Sequence, residues 1–143
     1  MKKFLNLLCL SMLLMTWNAI ADNSAILGQW QTVDDKTGKT NATVELYEQD
    51  GKVYGKIAQL FQETGKPEPV CTKCIDERKD QKVRGMVIIK DLDKKGNEWS
   101  GGTILDPKEG KIYKCKIWLE EGKLKVRGYI GFFFRTQTWQ PVK

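Results

Sequence analysis

Apolar and polar residues alternate with a period of two through most of this chain, which is the signature of half-buried antiparallel strands. Residues 26–33 (ILGQWQTV) read as a first strand and residues 34–38 (DDKTG) as a turn. In residues 40–47, Ala42, Val44 and Leu46 share one side while Thr43, Glu45 and Tyr47 take the other. Gln49-Asp50-Gly51 closes a hairpin into residues 52–60, where Val53, Gly55 and Ile57 share a face. After a long irregular stretch, residues 84–92 resume the alternation and Asp93-Lys94-Lys95-Gly96 reverses it. Residues 97–139 then give four more strand-like runs, divided at residues 106–110, at Glu120-Glu121-Gly122 and at Gly131. Each break carries the Gly, Pro or Asp that a reversal needs.

Eight sequential strands in one open sheet would leave two bare edges, whereas closure removes them. The predicted fold is therefore all-β, an eight-stranded up-and-down antiparallel barrel, with a β-sandwich as the alternative. At this strand number the interior holds side chains or one small ligand. In the last strands Tyr113, Cys115, Ile117, Leu119, Leu124, Val126 and Ile130 are expected to point inward, as core by default or as a cavity wall. Gly55, Gly101, Gly102 and Gly128 are expected to bend the barrel or to leave space beneath them. The opposite face aligns Lys114, Lys116, Lys123, Lys125 and Arg127 with Trp118 and Tyr129. That is a solvated face or, alternatively, a platform for an anionic envelope component.

Residues 61–83 break the rhythm with two prolines, many charges and Cys71-Thr72-Lys73-Cys74. A connection of this length in a compact domain is usually functional or tied down, and a Cys71–Cys74 bridge would tie it. One helical turn is expected near residues 75–79.

The first 21 residues change the picture of where the chain works. Met1-Lys2-Lys3, an apolar run over residues 4–15 and Ala19-Ile20-Ala21 form a basic start, a short apolar core and a small-x-small site. This is the pattern of a secretory leader, with cleavage expected after Ala21 and residues 22–143 left as one barrel domain in the periplasm or outside the cell. Leu8 before Cys9 does not fit lipoprotein processing. Without the two leader lysines the chain holds 22 basic and 18 acidic residues, a net charge of +4. So mild an excess implies solubility among anionic envelope components, and export disfavours nucleic acid as a partner. In an oxidising compartment Cys71 and Cys74 are expected to pair, leaving Cys115 as a small buried hydrophobe.

The chain has no histidine, which removes His-dependent triads, imidazole acid–base steps and the commonest metal ligand. Ser24 and Ser100 are the only serines after the leader, and neither has a base at a recognisable spacing. The Cys-x-x-Cys pair lies between strands rather than at a helix start, so it reads as a staple and not as a redox centre. A metal site would need a second ligand pair. Asp34/Asp35 and Glu120/Glu121 are turn neighbours, read as solvated. The expectation is a non-enzymatic protein with no cofactor.

Gly28-Gln29-Trp30, Tyr54-Gly55-Lys56-Ile57, Gly85-Met86, residues 99–107 (WSGGTILDP), Gly110-Lys111-Ile112-Tyr113, and Val126-Arg127-Gly128-Tyr129 followed by residues 135–139 (RTQTW) closely resemble the exported bacterial family known as domain of unknown function 2147. Phe132-Phe133-Phe134 replaces a longer, Gly-bearing segment found in that family. The resemblance implies a lipocalin-like barrel of calycin type and no established activity. It also implies that an arginine, Arg135 or Arg127, lies over Trp30 and plugs one end. Trp30, Tyr113, Arg127, Tyr129, Arg135 and Trp139 are thus the candidate ligand-binding or plug residues. The expected role is that of a monomer, or weak oligomer, which binds a small apolar or amphiphilic molecule or an envelope component. The alternative is an envelope interaction protein with a filled barrel.

Overall fold

The computed structural model describes residues 22–62 and 64–143; the leader and its cleavage site lie outside the described residues. Eight strands follow in chain order: β1 (Gly28–Val33), β2 (Thr40–Gln49), β3 (Lys52–Leu60), β4 (Val87–Lys95), β5 (Glu98–Asp106), β6 (Lys111–Glu120), β7 (Lys123–Ile130) and β8 (Phe133–Pro141). Each pairs antiparallel with its sequence neighbours, and β1 returns to β8 with Trp30 opposite Pro141 and Gln31 opposite Gln140, so the sheet closes into a barrel. Closure satisfies the two edges that an eight-strand meander would otherwise expose.

Several boundaries differ from the expectation. Arg84 and Gly85 lie in a turn, with Gly85 at φ 84°, so the fourth strand starts at Val87. It then runs through Asp93, Lys94 and Lys95, and the reversal is only Gly96-Asn97. The turn signals at 93–95 are overridden because these residues pair with Ser100, Trp99 and Glu98. No helix forms at 75–79: Asp76 Oδ1 accepts the backbone N–H of Arg78, which holds the segment in turns. A short side chain competing for backbone donors disfavours a helix in this way.

The expected glycines mark close approaches and a bend in the sheet rather than hollows. A Cβ on Gly102 would sit 1.9 Å from the Lys90 carbonyl oxygen, so β4 and β5 approach closely there. Gly101 at φ 83° lies beside this contact. A Cβ on Gly55 would sit 2.9 Å from Leu46 Cδ2, and that space is already filled.

The four odd-numbered connections, β1–β2, β3–β4, β5–β6 and β7–β8, gather at one end, the mouth. The other connections and residues 22–27 gather at the base. The base half of the interior is solid: Val44, Leu46, Val53, Ile89, Leu92, Cys115, Ile117 and Leu124 are all fully buried. Leu119, expected among them, sits at the base rim and is 37% exposed. Residues 22–27 close the base. Ile26 is fully buried, Trp30 Nε1 donates to the Ile26 carbonyl (2.9 Å), and Trp99 Nε1 donates to Asn23 Oδ1 (2.9 Å). Asn23 Nδ2 in turn reaches the Gly51 carbonyl (3.3 Å). Buried polar atoms are thereby paired, as burial requires.

Candidate functional site: an open cavity under the long loop

The mouth half of the barrel is hollow. A cavity of about 1170 Å³ extends from Trp139 at its floor, past Ala42, Ile57, Leu60, Ile88, Ile104, Leu105 and Val126, to exposed residues that include Phe61, Lys108, Phe133 and Arg135. Alternation places Ala42, Ile57, Ile104 and Val126 on the inner face, whereas Ile88 and Leu105 have the opposite parity, as neighbours of the paired Ile89 and Ile104. Gly128 receives the Tyr113 side chain: a Cβ there would press on Tyr113 Cβ at 3.3 Å, so the tyrosine lies against the bare glycine.

The loop between β3 and β4 covers part of this opening with Pro69, Val70, Thr72 and Val83. Cys71 and Cys74 form a disulfide and are buried. Val70 bridges Lys82, and the Cys71 N–H donates to the Gln81 carbonyl (2.9 Å). The loop is fastened to two strands. Towards β4, buried Arg78 chelates Asp76 (Nη2 to Oδ2, 2.6 Å) and donates through Nη1 to the Val87 carbonyl (2.9 Å). That guanidinium holds the Asp76 carboxyl down at about 2. Towards the β5–β6 turn, Cys71 Sγ lies 3.4 Å from the Pro107 carbonyl oxygen. A Cβ on Gly110 would sit 2.0 Å from the Lys73 carbonyl oxygen, so only glycine permits that approach.

Polar groups are confined to the upper wall and rim. Thr32 Oγ1 donates to Asn41 Oδ1, Arg135 pairs with Asp35, and Asp106 Oδ1 accepts the Lys108 N–H (2.9 Å). On the floor, Trp139 Nε1 donates to Gln137 Oε1 (3.0 Å). Asp35, expected to be solvated, is instead the partner of Arg135. A mainly apolar floor, whose one polar pair is satisfied internally, below a polar rim can hold an elongated molecule with its apolar part inward.

Of the six candidate residues, the structure brings Tyr113, Arg135 and Trp139 to the cavity. The other three lie elsewhere. Trp30 is buried at the base and is covered by residues 22–27. Arg127 and Tyr129 belong to the outer face of β7, where Arg127 stacks on Trp118 (5.0 Å) and Phe134 (4.3 Å) and donates to Thr136 Oγ1 (2.9 Å). The implied arginine plug over Trp30 is not formed: Arg127 is outside, and Arg135 is at the opposite end from Trp30. The base is sealed by Asn23 and Ile26, which nothing in a strand pattern marks. Ala42 and Ile57 were legible as members of an apolar face, but not as cavity rather than core; the sequence pattern does not single out Leu60, Ile88 and Ile104.

The outer basic stripe is largely engaged with the barrel itself. Lys116 pairs with Glu98 (3.3 Å) and Lys125 Nζ donates to Thr138 Oγ1 (2.7 Å). Cys115 is free and buried, and burial pushes its thiol up to about 12. No helix among the described residues is long and apolar enough to cross a membrane.

The chain was compared with known proteins. A family model described as "Uncharacterized protein conserved in bacteria (DUF2147)" matches residues 28–141. No curated protein sequence matches the chain. A solved structure titled "Protein HP1028 from the human pathogen Helicobacter pylori belongs to the lipocalin family" is similar, with a TM-score of 0.69, 21% sequence identity and 82% of each chain covered. At that identity the similarity concerns the fold, a lipocalin-like barrel.

Proposed function

Since this chain belongs to the bacterial DUF2147 family and has a lipocalin-like barrel, we propose that it is a periplasmic carrier. It would bind one apolar or amphiphilic small molecule without transforming it. The observation that carries this reading is the cavity of about 1170 Å³, apolar over Ala42, Ile57, Ile104, Val126 and Trp139, above a solid half-core. A cavity of this size accommodates a long-chain ligand, since small-molecule sites typically span roughly 300–1,000 Å³. The ligand's apolar part would lie against Trp139, Val126, Ile57 and Ile104, and its polar end would meet Thr32, Asn41 and Arg135. The missing histidine agrees with binding in place of chemistry.

Titration with a fluorescent fatty-acid analogue in detergent-free buffer tests this. Saturable one-to-one binding is expected, weakened about tenfold by Ile104→Trp, which fills the wall with a larger side chain. Near-UV circular dichroism of the variant would remain native. Absence of saturable binding by the parent, or unchanged affinity in a folded Ile104→Trp, contradicts the proposal.

A further inference from the structure

The β7–β8 turn carries Phe132, Phe133 and Phe134 in succession, at 100%, 85% and 63% exposure, next to exposed Ile130. Phe134 packs against Arg127 (4.3 Å), but two consecutive phenylalanines as exposed as Phe132 and Phe133 are costly in water unless something apolar receives them. Folding does not bury them, because the hairpin tip projects beyond the barrel rim: Ile130 pairs with Phe133, so only Gly131 and Phe132 make the reversal. The tip is continuous with the cavity, since Ile130, Phe133 and Phe134 also line it.

The charges around this tip select the kind of surface that meets it. The following carboxylates, all among the described residues, are engaged: Asp35 pairs with Arg135, Glu109 with Lys73 and Glu68 with Arg84, while Asp34 accepts the backbone N–H groups of Lys36 and Thr37. Among the described residues, Lys36, Lys39, Lys111 and Lys114 form no ion pair. Lys36 and Lys39 lie in the turn that carries Asp35. Lys114 is paired with Tyr129 in the β-sheet, and Lys111 is three residues before it at the mouth end of β6. An apolar aromatic tip ringed by cations with long aliphatic stems is the composition of a segment that sits in the headgroup layer of an anionic membrane.

We propose that the mouth of the barrel docks on an anionic lipid bilayer, with Phe132 and Phe133 entering the headgroup–acyl boundary and Lys36, Lys39, Lys111 and Lys114 meeting the lipid phosphates. Docking this way sets the cavity mouth against the bilayer. Its bearing on function rests on the carrier reading above, but the docking itself is measured without a cavity ligand.

The test uses protein expressed with its own leader and co-sedimented with vesicles of equal parts phosphatidylglycerol and phosphatidylcholine, or of phosphatidylcholine alone. Binding is expected to the anionic vesicles, with about a tenfold or greater loss of partitioning in Phe132→Ser/Phe133→Ser. Raised salt should also weaken it. The doubly reversed Lys116→Glu/Lys125→Glu, on the barrel's side, should partition close to the parent. In Phe132→Trp, indole emission should shift to the blue on adding anionic vesicles. No partitioning by the parent, equal partitioning by the serine variant, or a parent dimer that the serine variant dissolves while neither binds vesicles would overturn the proposal. Fatty-acid-analogue binding in vesicle-free solution reads the carrier function separately, and the single Phe132→Ser, at a residue outside the cavity lining, should keep it while losing vesicle binding.

Discussion

At the scale of single residues, the decisive groups are those whose environment differs most from water. Asp76 is an example. Its folded-state carboxyl is held at about 2, against an ordinary 3.8, by the Arg78 guanidinium. A carboxyl whose folded value lies below its unfolded one stabilises the fold above the unfolded value, and loses that contribution as pH falls towards the folded value. The expected window of loss is therefore from about pH 4 down to about pH 2. Its size is at most about 2 kcal/mol, because Asp76 is partly solvent-facing and screened. Chemical denaturation of parent and Asp76→Asn at neutral pH and near pH 3 checks this. The two should differ at neutral pH and converge on acidification; a constant difference would mean that the pair has no such linkage. Cys115 offers a second check, since its raised thiol and full burial predict no reaction with iodoacetamide at neutral pH until the barrel is unfolded.

Among the elements, the loop across the mouth matters most, and its stability depends on two small features. The Cys71–Cys74 bridge closes a short loop, so reduction should lower stability by only about 2 kcal/mol or less while leaving the far-UV spectrum of the barrel intact. Gly110→Val has a different origin. The added side chain meets the Lys73 carbonyl, and the positive φ of 67° disfavours any branched residue. We expect a loss on the order of 1–3 kcal/mol, with faster proteolysis within the loop, measured by thermal melting and limited digestion. A Gly110→Val protein with parental melting and digestion would show that the close approach to Lys73 is dispensable.

The same elements show what the chain's pattern could and could not disclose. Strand existence was legible because alternation is local: Ala42, Val44 and Leu46 face inward wherever their partner strands lie. The disulfide pairing followed from the short spacing in one loop. The position of an arginine was not legible. Arg127 and Arg135 are both eight or fewer residues from the same hairpin turn, yet the parity of the strand sends one outside, while the position of Arg135 near the start of β8 puts it at the end away from Trp30. Gly102 and Gly128 look equivalent in sequence; one lets two backbones touch and the other receives the Tyr113 side chain, a difference set by partners elsewhere in the chain. Asn23 seals the base through Trp99, 76 residues away, and no periodicity reports such a contact.

Taken as a whole, the molecule is divided along the barrel axis. The base half is packed to exclusion by aliphatic residues and capped by residues 22–27, which provides stability. The mouth half gives up packing and so provides space, and the loop fastened by Arg78 and Gly110 limits access to it. A filled barrel with these strands would require larger inward side chains at Ala42 and Ile104. The central claim is that the upper space is a ligand site. Native mass spectrometry of protein purified from its native cells without detergent tests it most directly. The account predicts a second mass above the bare chain, corresponding to one apolar or amphiphilic molecule, which is lost on organic extraction and reduced in Ile104→Trp. Only bare protein in the spectrum, together with no uptake of added fatty acid, would contradict it.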